Sequence, residues 1–284
     1  MKFSIETCIL AERLGIKEAF RMIKNHGFDC VSLDIFGELE NCLLCDNYLE
    51  YAKELRFFID ELGLDCNQAH APMCFSYDDE MNENSVNWLK VARSIEFAAI
   101  LGAKRIIVHS STVPFDKKWD EFEHNIALFK SFEPIAKKSG IKIAVENLGH
   151  YDFFRKRFAG IFNTPYELKK VLDTLNSDVF TACLDIGHSA ITGYSPEQFI
   201  ENAEKGMITC LHIQDSDYCG DLHMLPFTCE FDWEKIMKSL KKYGYKGEIT
   251  FEVLGFFKRL PNELLGAGLD FALSVGKHLA SYLD

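Results

Sequence analysis

No apolar run in this chain approaches the roughly 20 residues that a membrane-spanning helix needs. The first residues, Met1-Lys-Phe-Ser-Ile-Glu6, carry no apolar signal-peptide core and no small-residue cleavage site. Both absences point to a cytoplasmic protein without a membrane partner. Positive charge is short as well: 31 Lys and Arg stand against 43 Asp and Glu, a formal net charge of -12. Nucleic-acid binding uses basic side chains to replace condensed counterions, so no nucleic-acid partner is expected. Only bound divalent metals could reverse the sign locally. No Gly-x-Gly-x-x-Gly follows the first strand-like segment, which weighs against an open dinucleotide-binding sheet. Cys42-Leu-Leu-Cys45 has no second pair at zinc-ribbon spacing and no thioredoxin-like context, and it reads as structural. Cys30, Cys183 and Cys210 lie inside apolar runs and read as small buried hydrophobes. Low-complexity segments and linkers are lacking too.

What the chain does have is a rhythm. Short segments rich in Val, Ile, Phe or Cys recur at about 3–7, 30–35, 65–70, 105–110, 141–147, 180–186, 208–215 and 248–254, with helical stretches between. Near-continuous apolar strands are those buried on both faces. Strict strand–helix alternation favours a parallel sheet. Gly27, Gly63, Gly102, Gly140 and Gly244 each close a helix just before a strand, where a left-handed cap suits glycine. Thr164-Pro-Tyr-Glu167 and Ser195-Pro-Glu-Gln198 read as capping boxes with proline at the first helical position. Eight strand–helix units typically need about 250 residues, so one α/β domain, a single (β/α)8 TIM barrel over residues 1–284, accounts for the chain.

Most of these strands run into a residue able to hold a metal: His70, His109, Glu146, Asp185, His212 and Glu252, in chain order. A closed parallel barrel brings its C-terminal strand ends to one mouth, where such residues converge. Glu146, Asp185, His212 and Glu252 end the fifth to eighth strands. Three carboxylates and one imidazole suit Mn²⁺, Mg²⁺ or Co²⁺, and Zn²⁺ as well. His188 follows Asp185 across Gly187 and faces the same mouth, as a substrate contact or a ligand. Asn147 sits beside Glu146, placed either to orient it or to make an ordinary loop hydrogen bond.

The set His70-Ala-Pro, His109-Ser, Glu146-Asn, Asp185-Ile-Gly-His188, His212-Ile-Gln-Asp215, Asp221-Leu-His223 and Glu252 resembles the xylose isomerase-like barrel superfamily. That superfamily includes sugar isomerases and epimerases and endonuclease IV-type repair enzymes. The resemblance implies that Glu146, Asp185, His212 and Glu252 are metal ligands and that Glu146 and Glu252 form the catalytic acid/base pair, working across a metal-stabilised enediolate. It implies substrate contacts for His188, with His70 and His109 at the same mouth. Where the family often carries an arginine six residues after the strand-seven histidine, this chain has Tyr218. The expected activity is that of a sugar, sugar phosphate or cyclitol isomerase or epimerase, with a small-molecule substrate; the oligomeric state is open and admits a homo-oligomer.

Two alternatives accompany that reading: a cyclitol dehydratase, and an endonuclease IV-like phosphodiester hydrolase in which His70, His109, His188, Asp221 and His223 join as additional metal ligands. The second is disfavoured by the acidic balance and by Glu146-Asn-Leu-Gly-His-Tyr151 and Asp221-Leu-His-Met-Leu-Pro-Phe227, which depart from the repair-enzyme signatures. Phe36, Phe75, Tyr77, Trp119, Phe153 and Phe154 are candidate pocket walls. The runs Arg155-Lys-Arg157 and Lys258-Arg259 read as solvated faces, since no glycine-rich phosphate cradle accompanies them.

Overall fold

The strand-like segments pair side by side in the computed structural model as a parallel sheet: β1 (Phe3–Glu6), β2 (Cys30–Asp34), β3 (Asp65–His70), β4 (Arg105–Val108), β5 (Lys142–Glu146), β8 (Phe180–Asp185), β9 (Ile208–His212) and β10 (Ile249–Phe251). The order is β10-β1-β2-β3-β4-β5-β8-β9. A parallel bridge between Ile213 and Phe251 joins the two ends. There the Ile213 N–H donates to Thr250 O at 2.9 Å and the Glu252 N–H to Ile213 O at 3.1 Å. The result is the single (β/α)8 barrel that the strand rhythm predicts, with helices outside. The structure describes all residues except Thr112, Pro114, 153–156, Gly160 and Asp284, and only the backbone of Phe115, Asp116, Trp119, 150–152 and 157–159. The readings of Trp119, Phe153, Phe154 and the run Arg155-Lys-Arg157 lie outside the described side chains.

Several strands stop one to three residues before the expected ends. Just past β1 the Thr7 and Cys8 N–H groups both donate to Asp34 Oδ2, at the end of β2, at 2.8 Å. An antiparallel hairpin, β6 (His150–Asp152) with β7 (Arg157–Ala159), follows β5 and was not expected. Three-residue strands are too short for periodicity to register. Thr164 forms the reciprocal capping box with Glu167. For Ser195 only half of the box is seen: its Oγ accepts the Gln198 N–H at 3.3 Å. The five helix-closing glycines all take positive φ, as at Gly140 with φ 69.

Alternation along each strand decides which residues enter the barrel. Ile107, Ala144, Cys183 and Cys210 form a small core of their own. Each lies two residues before His109, Glu146, Asp185 or His212, so that apolar layer is the floor beneath those side chains. The three cysteines read as buried are buried. A bulge between β2 and β3 sets Cys66 opposite Val31 and Gln68 opposite Ser32, leaving Asn67 as the extra residue. The shift brings His70 level with Asp34 at the mouth. Outside, the strands pack on helix faces through one continuous apolar core that includes Phe20, Phe129, Phe132 and Leu269.

Candidate metal centre

Each barrel strand ends in, or is followed at once by, an ionisable side chain: Glu6, Asp34, His70, His109, Glu146, Asp185, His212 and Glu252. Six of these were read from the sequence. Glu6 and Asp34 were not, although Phe3-Ser-Ile-Glu6 and Cys30-Val-Ser-Leu-Asp34 carry the same local signal. All eight are buried except His109 and Glu252, which are partly so.

Glu146, Asp185, His212 and Glu252 each offer a ligand atom, and these atoms lie within 4.8 Å of one another. His212 Nδ1 is 2.6 Å from Glu146 Oε1 and 3.3 Å from Glu252 Oε2. His70, His109 and Glu146 make a second group, and His188, Asp221 and His223 a third, on the same distance criterion. The nine residues read as ligands or substrate contacts all fall within these groups. Cys183 also comes within reach of Glu146 and His212, from the floor.

The ring orientations bear on what these groups can hold. His70 Nδ1 donates to Ala71 O at 2.8 Å, leaving Nε2 bare and 3.0 Å from His109 Nε2. His188 Nδ1 donates to Asn147 O at 3.0 Å, and its Nε2 lies 3.3 Å from Asp221 Oδ2. His223 Nδ1 donates to Glu252 O at 3.3 Å, and its Nε2 lies 3.2 Å from Asp221 Oδ1. A ring tied down by one nitrogen presents the other at a fixed angle, the arrangement typical of metal-ligating histidines. Glu146 Oε2 and Glu252 Oε2 are buried without a hydrogen bond. Glu146 Oε2 sits 2.9 Å from His109 Nε2, but not in hydrogen-bonding geometry. Buried carboxylate oxygens left over in this way are costly unless a cation completes them. The residues present thus fit a divalent ion.

The electrostatics agree. Burial pushes the Glu146 carboxyl up, but the His212 and His109 imidazoles outweigh it and hold it well below its usual range. Burial, reinforced by Glu146 and Asp185, holds Glu252 well above. Burial and Asp34 do the same to Glu6. Burial lowers His188, yet Asp185 and Asp221 hold it up at about 10. Burial lowers His212 too, and Glu146 raises it above its ordinary value. Burial and His109 push His70 down to about 3.

A stability trend follows. Above the ordinary histidine value of 6.5, the folded protein keeps protons on His188 and His212 that the unfolded chain has released. Stability then falls as pH rises toward about 10. Glu252 and Glu6 add the same sign above their ordinary value of 4.5. His70 acts oppositely, but its contribution is complete once the pH exceeds 6.5. Chelator-treated protein is expected to melt at lower temperature as pH rises from roughly 6.5 to 9. Saturating Mn²⁺ should reduce that slope, because an ion held by the four-residue group would displace the protons of His212 and Glu252. A flat or rising melting temperature in chelator would contradict this account.

Neighbouring side chains hold the cluster. Asn147 does not orient Glu146. Its amide donates to Asp185 O at 2.9 Å and accepts the Asp185 N–H at 2.8 Å, clamping the backbone of the next strand over. Phe36 packs on the His70 ring with centroids 5.3 Å apart and lines a cavity of about 310 Å³ with Cys8 and Asp34. Phe75 shares a cavity of about 200 Å³ with His109 and Ser110. Tyr77 packs on His124 instead. Tyr218 is 44% exposed and packs against Phe231. Lys258 and Arg259 are exposed, as read.

Comparison with known proteins follows the same lines. The family model described as xylose isomerase-like TIM barrel matches residues 20–273. An uncharacterised protein of Methanocaldococcus jannaschii is 25% identical over 264 residues, covering 89% of this chain and 83% of its own. A D-tagatose 3-epimerase-like protein of known structure superposes with a TM-score of 0.75 at 23% identity, over 100% of this chain and 97% of that one. The IOLI protein, solved with a bound zinc atom, gives 0.71 at 18% identity, over 100% and 98%. No helix among the described residues is long and apolar enough to cross a membrane.

Proposed function

The chain belongs to the xylose isomerase-like TIM barrel family, and on that premise we propose that it is a divalent-metal-dependent isomerase or epimerase. Its substrate is a small polyhydroxylated molecule: a sugar, a sugar phosphate or a cyclitol. The observation that supports this most is the convergence of Glu146, Asp185, His212 and Glu252 at the barrel mouth with two carboxylate oxygens left over. The ion they would hold, Mn²⁺, Mg²⁺, Co²⁺ or Zn²⁺, supplies polarisation of a substrate carbonyl or hydroxyl. The protein residues do the rest. Glu146 and Glu252 each keep one oxygen free of hydrogen bonds, and one removes a carbon-bound proton while the other returns one. His188, His70 and His109 bind substrate hydroxyls. Two solved epimerase-type structures share the fold, a D-tagatose 3-epimerase-like protein and a 3-keto-D-glucoside 4-epimerase from E. coli. The test is metal analysis of purified protein, then a sugar and cyclitol panel with the metal restored. Conversion of a panel member, abolished by chelator, is the expected result.

A second reading, a phosphodiester hydrolase holding several ions, gains support from the three groups of ligand-type side chains at the mouth. The net charge of -12 opposes binding of a nucleic-acid duplex. We expect no incision of an abasic duplex at physiological salt. Dialysed protein should retain nearer one tightly held ion per chain than three. Three tight zinc ions together with metal-dependent incision would promote the hydrolase.

A further inference from the structure

Two buried carboxyl groups at the mouth take no part in the chemistry proposed above. Glu6 and Asp34 end β1 and β2 and are 4% and 5% exposed. Ser4 shows which way Glu6 points. Its hydroxyl donates to Asn67 Oδ1 at 2.6 Å, and the Asn67 amide donates to Thr250 Oγ1 at 3.1 Å. These residues are buried, and β1 and β3 are not neighbours in the sheet, so the network crosses the barrel interior. Glu6, two residues beyond Ser4, points inward above it. Its Oε1 is buried without a hydrogen bond. Asp34 accepts from the Thr7 and Cys8 N–H groups at 2.8 Å and from the Thr7 hydroxyl at 3.4 Å, all on Oδ2. Its Oδ1 accepts nothing from the described residues.

Space adjoins this pair. Asp34 lines the cavity of about 310 Å³ between the helix Cys8–Leu14 and the segment that follows β2. Phe36 is in its wall and packs on the His70 ring, and Asp34 is level with His70 across the sheet. The cavity therefore adjoins the mouth. Its other charged lining residues are Glu12 and Glu38, both exposed; no Lys or Arg lines it. Cations on the neighbouring helices are engaged elsewhere. Arg13 donates to Leu260 O at 2.6 Å and to Lys258 O at 3.1 Å, and Lys17 pairs with Glu54. Lys258 offsets little of the negative charge, since burial and Asp34 still hold Glu6 well above its usual range. The main-chain donors of Thr7 and Cys8, where the helix begins, are already held by Asp34. An incoming anion would have to displace that carboxylate.

We propose that Glu6 and Asp34 bind hydroxyls on the part of the substrate that extends from the metal cluster toward β1 and β2, and that this part carries no phosphate. This rests on the reading that the chain is a metal-dependent isomerase or epimerase. Of the three substrate classes named there, it keeps the free sugar and the cyclitol. Glu6 and Asp34 set specificity and move no proton. A hydroxyl both donates and accepts, so it satisfies Glu6 Oε1 whether that carboxyl is ionised or not. A phosphate dianion offers acceptors alone. It would meet Asp34, Glu12 and Glu38 with neither a cation nor a free N–H to receive it.

Calorimetric titration of the full-length, Mn²⁺-loaded protein with matched pairs tests this. The pairs are D-fructose, D-tagatose and myo-inositol, each with and without one phosphate. In a pair that binds, the free member should bind more than about 10-fold tighter, because like charges set against each other are costly. Glu6→Leu replaces the carboxyl with an apolar group of similar size. It should weaken the free member by about 10–150-fold, the scale of a hydrogen bond to a charged group. It should leave unchanged the affinity for the matching deoxy compound, which lacks the hydroxyl that the phosphate would occupy. A merely structural role for Glu6 would weaken both alike. E12Q/E38Q alters exposed positions and should narrow the gap by admitting the phosphorylated member, and it serves if Glu6→Leu does not fold. Equal or tighter binding of the phosphorylated member overturns the proposal. So does an equal loss for hydroxy and deoxy compounds in Glu6→Leu, or an unchanged gap in E12Q/E38Q. Binding of neither member of any pair is a different result: it overturns the isomerase reading, and this subsite falls with it.

Discussion

Replacing His212 with alanine is expected to weaken divalent-cation binding more than about 100-fold, beyond the 10–100-fold typical of residues that only support a ligand. His212 Nδ1 sits 2.6 Å from one carboxylate of the cluster and 3.3 Å from another. It is the only imidazole in the group formed with Glu146, Asp185 and Glu252. Its loss removes a nitrogen donor and the imidazole that lies nearest to both Glu146 and Glu252. Two effects must then be separated. Breaking a buried charge pair costs about 3–5 kcal/mol of folding stability whether or not an ion is involved. Ligand binding adds RT ln(1 + [L]/Kd), about 2.7 kcal/mol at 100 Kd. Melting curves with chelator measure the first effect, and the increment on adding Mn²⁺ measures the second. The increment should be lost in H212A over concentrations that saturate the unaltered protein. Retention of the full increment would show that the cation is held elsewhere.

Turnover in Glu146→Gln and Glu252→Gln should fall by about 10²–10⁴-fold with saturating metal, the scale of general acid–base catalysis. Glutamine keeps the shape and one ligand oxygen but accepts no proton as a carboxylate does. The two carboxyls are also unlike: His212 and His109 hold Glu146 down, while burial among other carboxylates holds Glu252 up. With a converting substrate in D₂O, deuterium should appear on the carbon that changes. Near-normal turnover in both variants, or conversion without solvent exchange, excludes the carboxylate pair while leaving the metal site standing.

The strand rhythm was legible because a strand buried on both faces must be apolar along its length, and that pattern is local. The ligand residues were legible for a related reason. A carboxylate or imidazole at the end of an apolar run stands out, and in a closed barrel all such ends meet. That rule, applied to the first two strands as well, would have found Glu6 and Asp34. The hairpin of β6 and β7 left no periodic trace. Asn147 was seen, but its partner was not, because its amide reaches across to Asp185 on the neighbouring strand.

From its sequence alone, then, this protein is an eight-stranded barrel with a mouth rich in carboxylates and imidazoles, since local patterns of burial and strand ending carry that much. Tertiary structure decided how those side chains divide into three groups, which ring nitrogen each histidine presents, and which oxygens are left over. Barrel closure and the stagger between strands place Asp185 level with His212 and Glu146 level with Cys183. Distances of 3 Å between residues far apart in the chain depend on that stagger. A single residue of slip would turn every inward side chain outward.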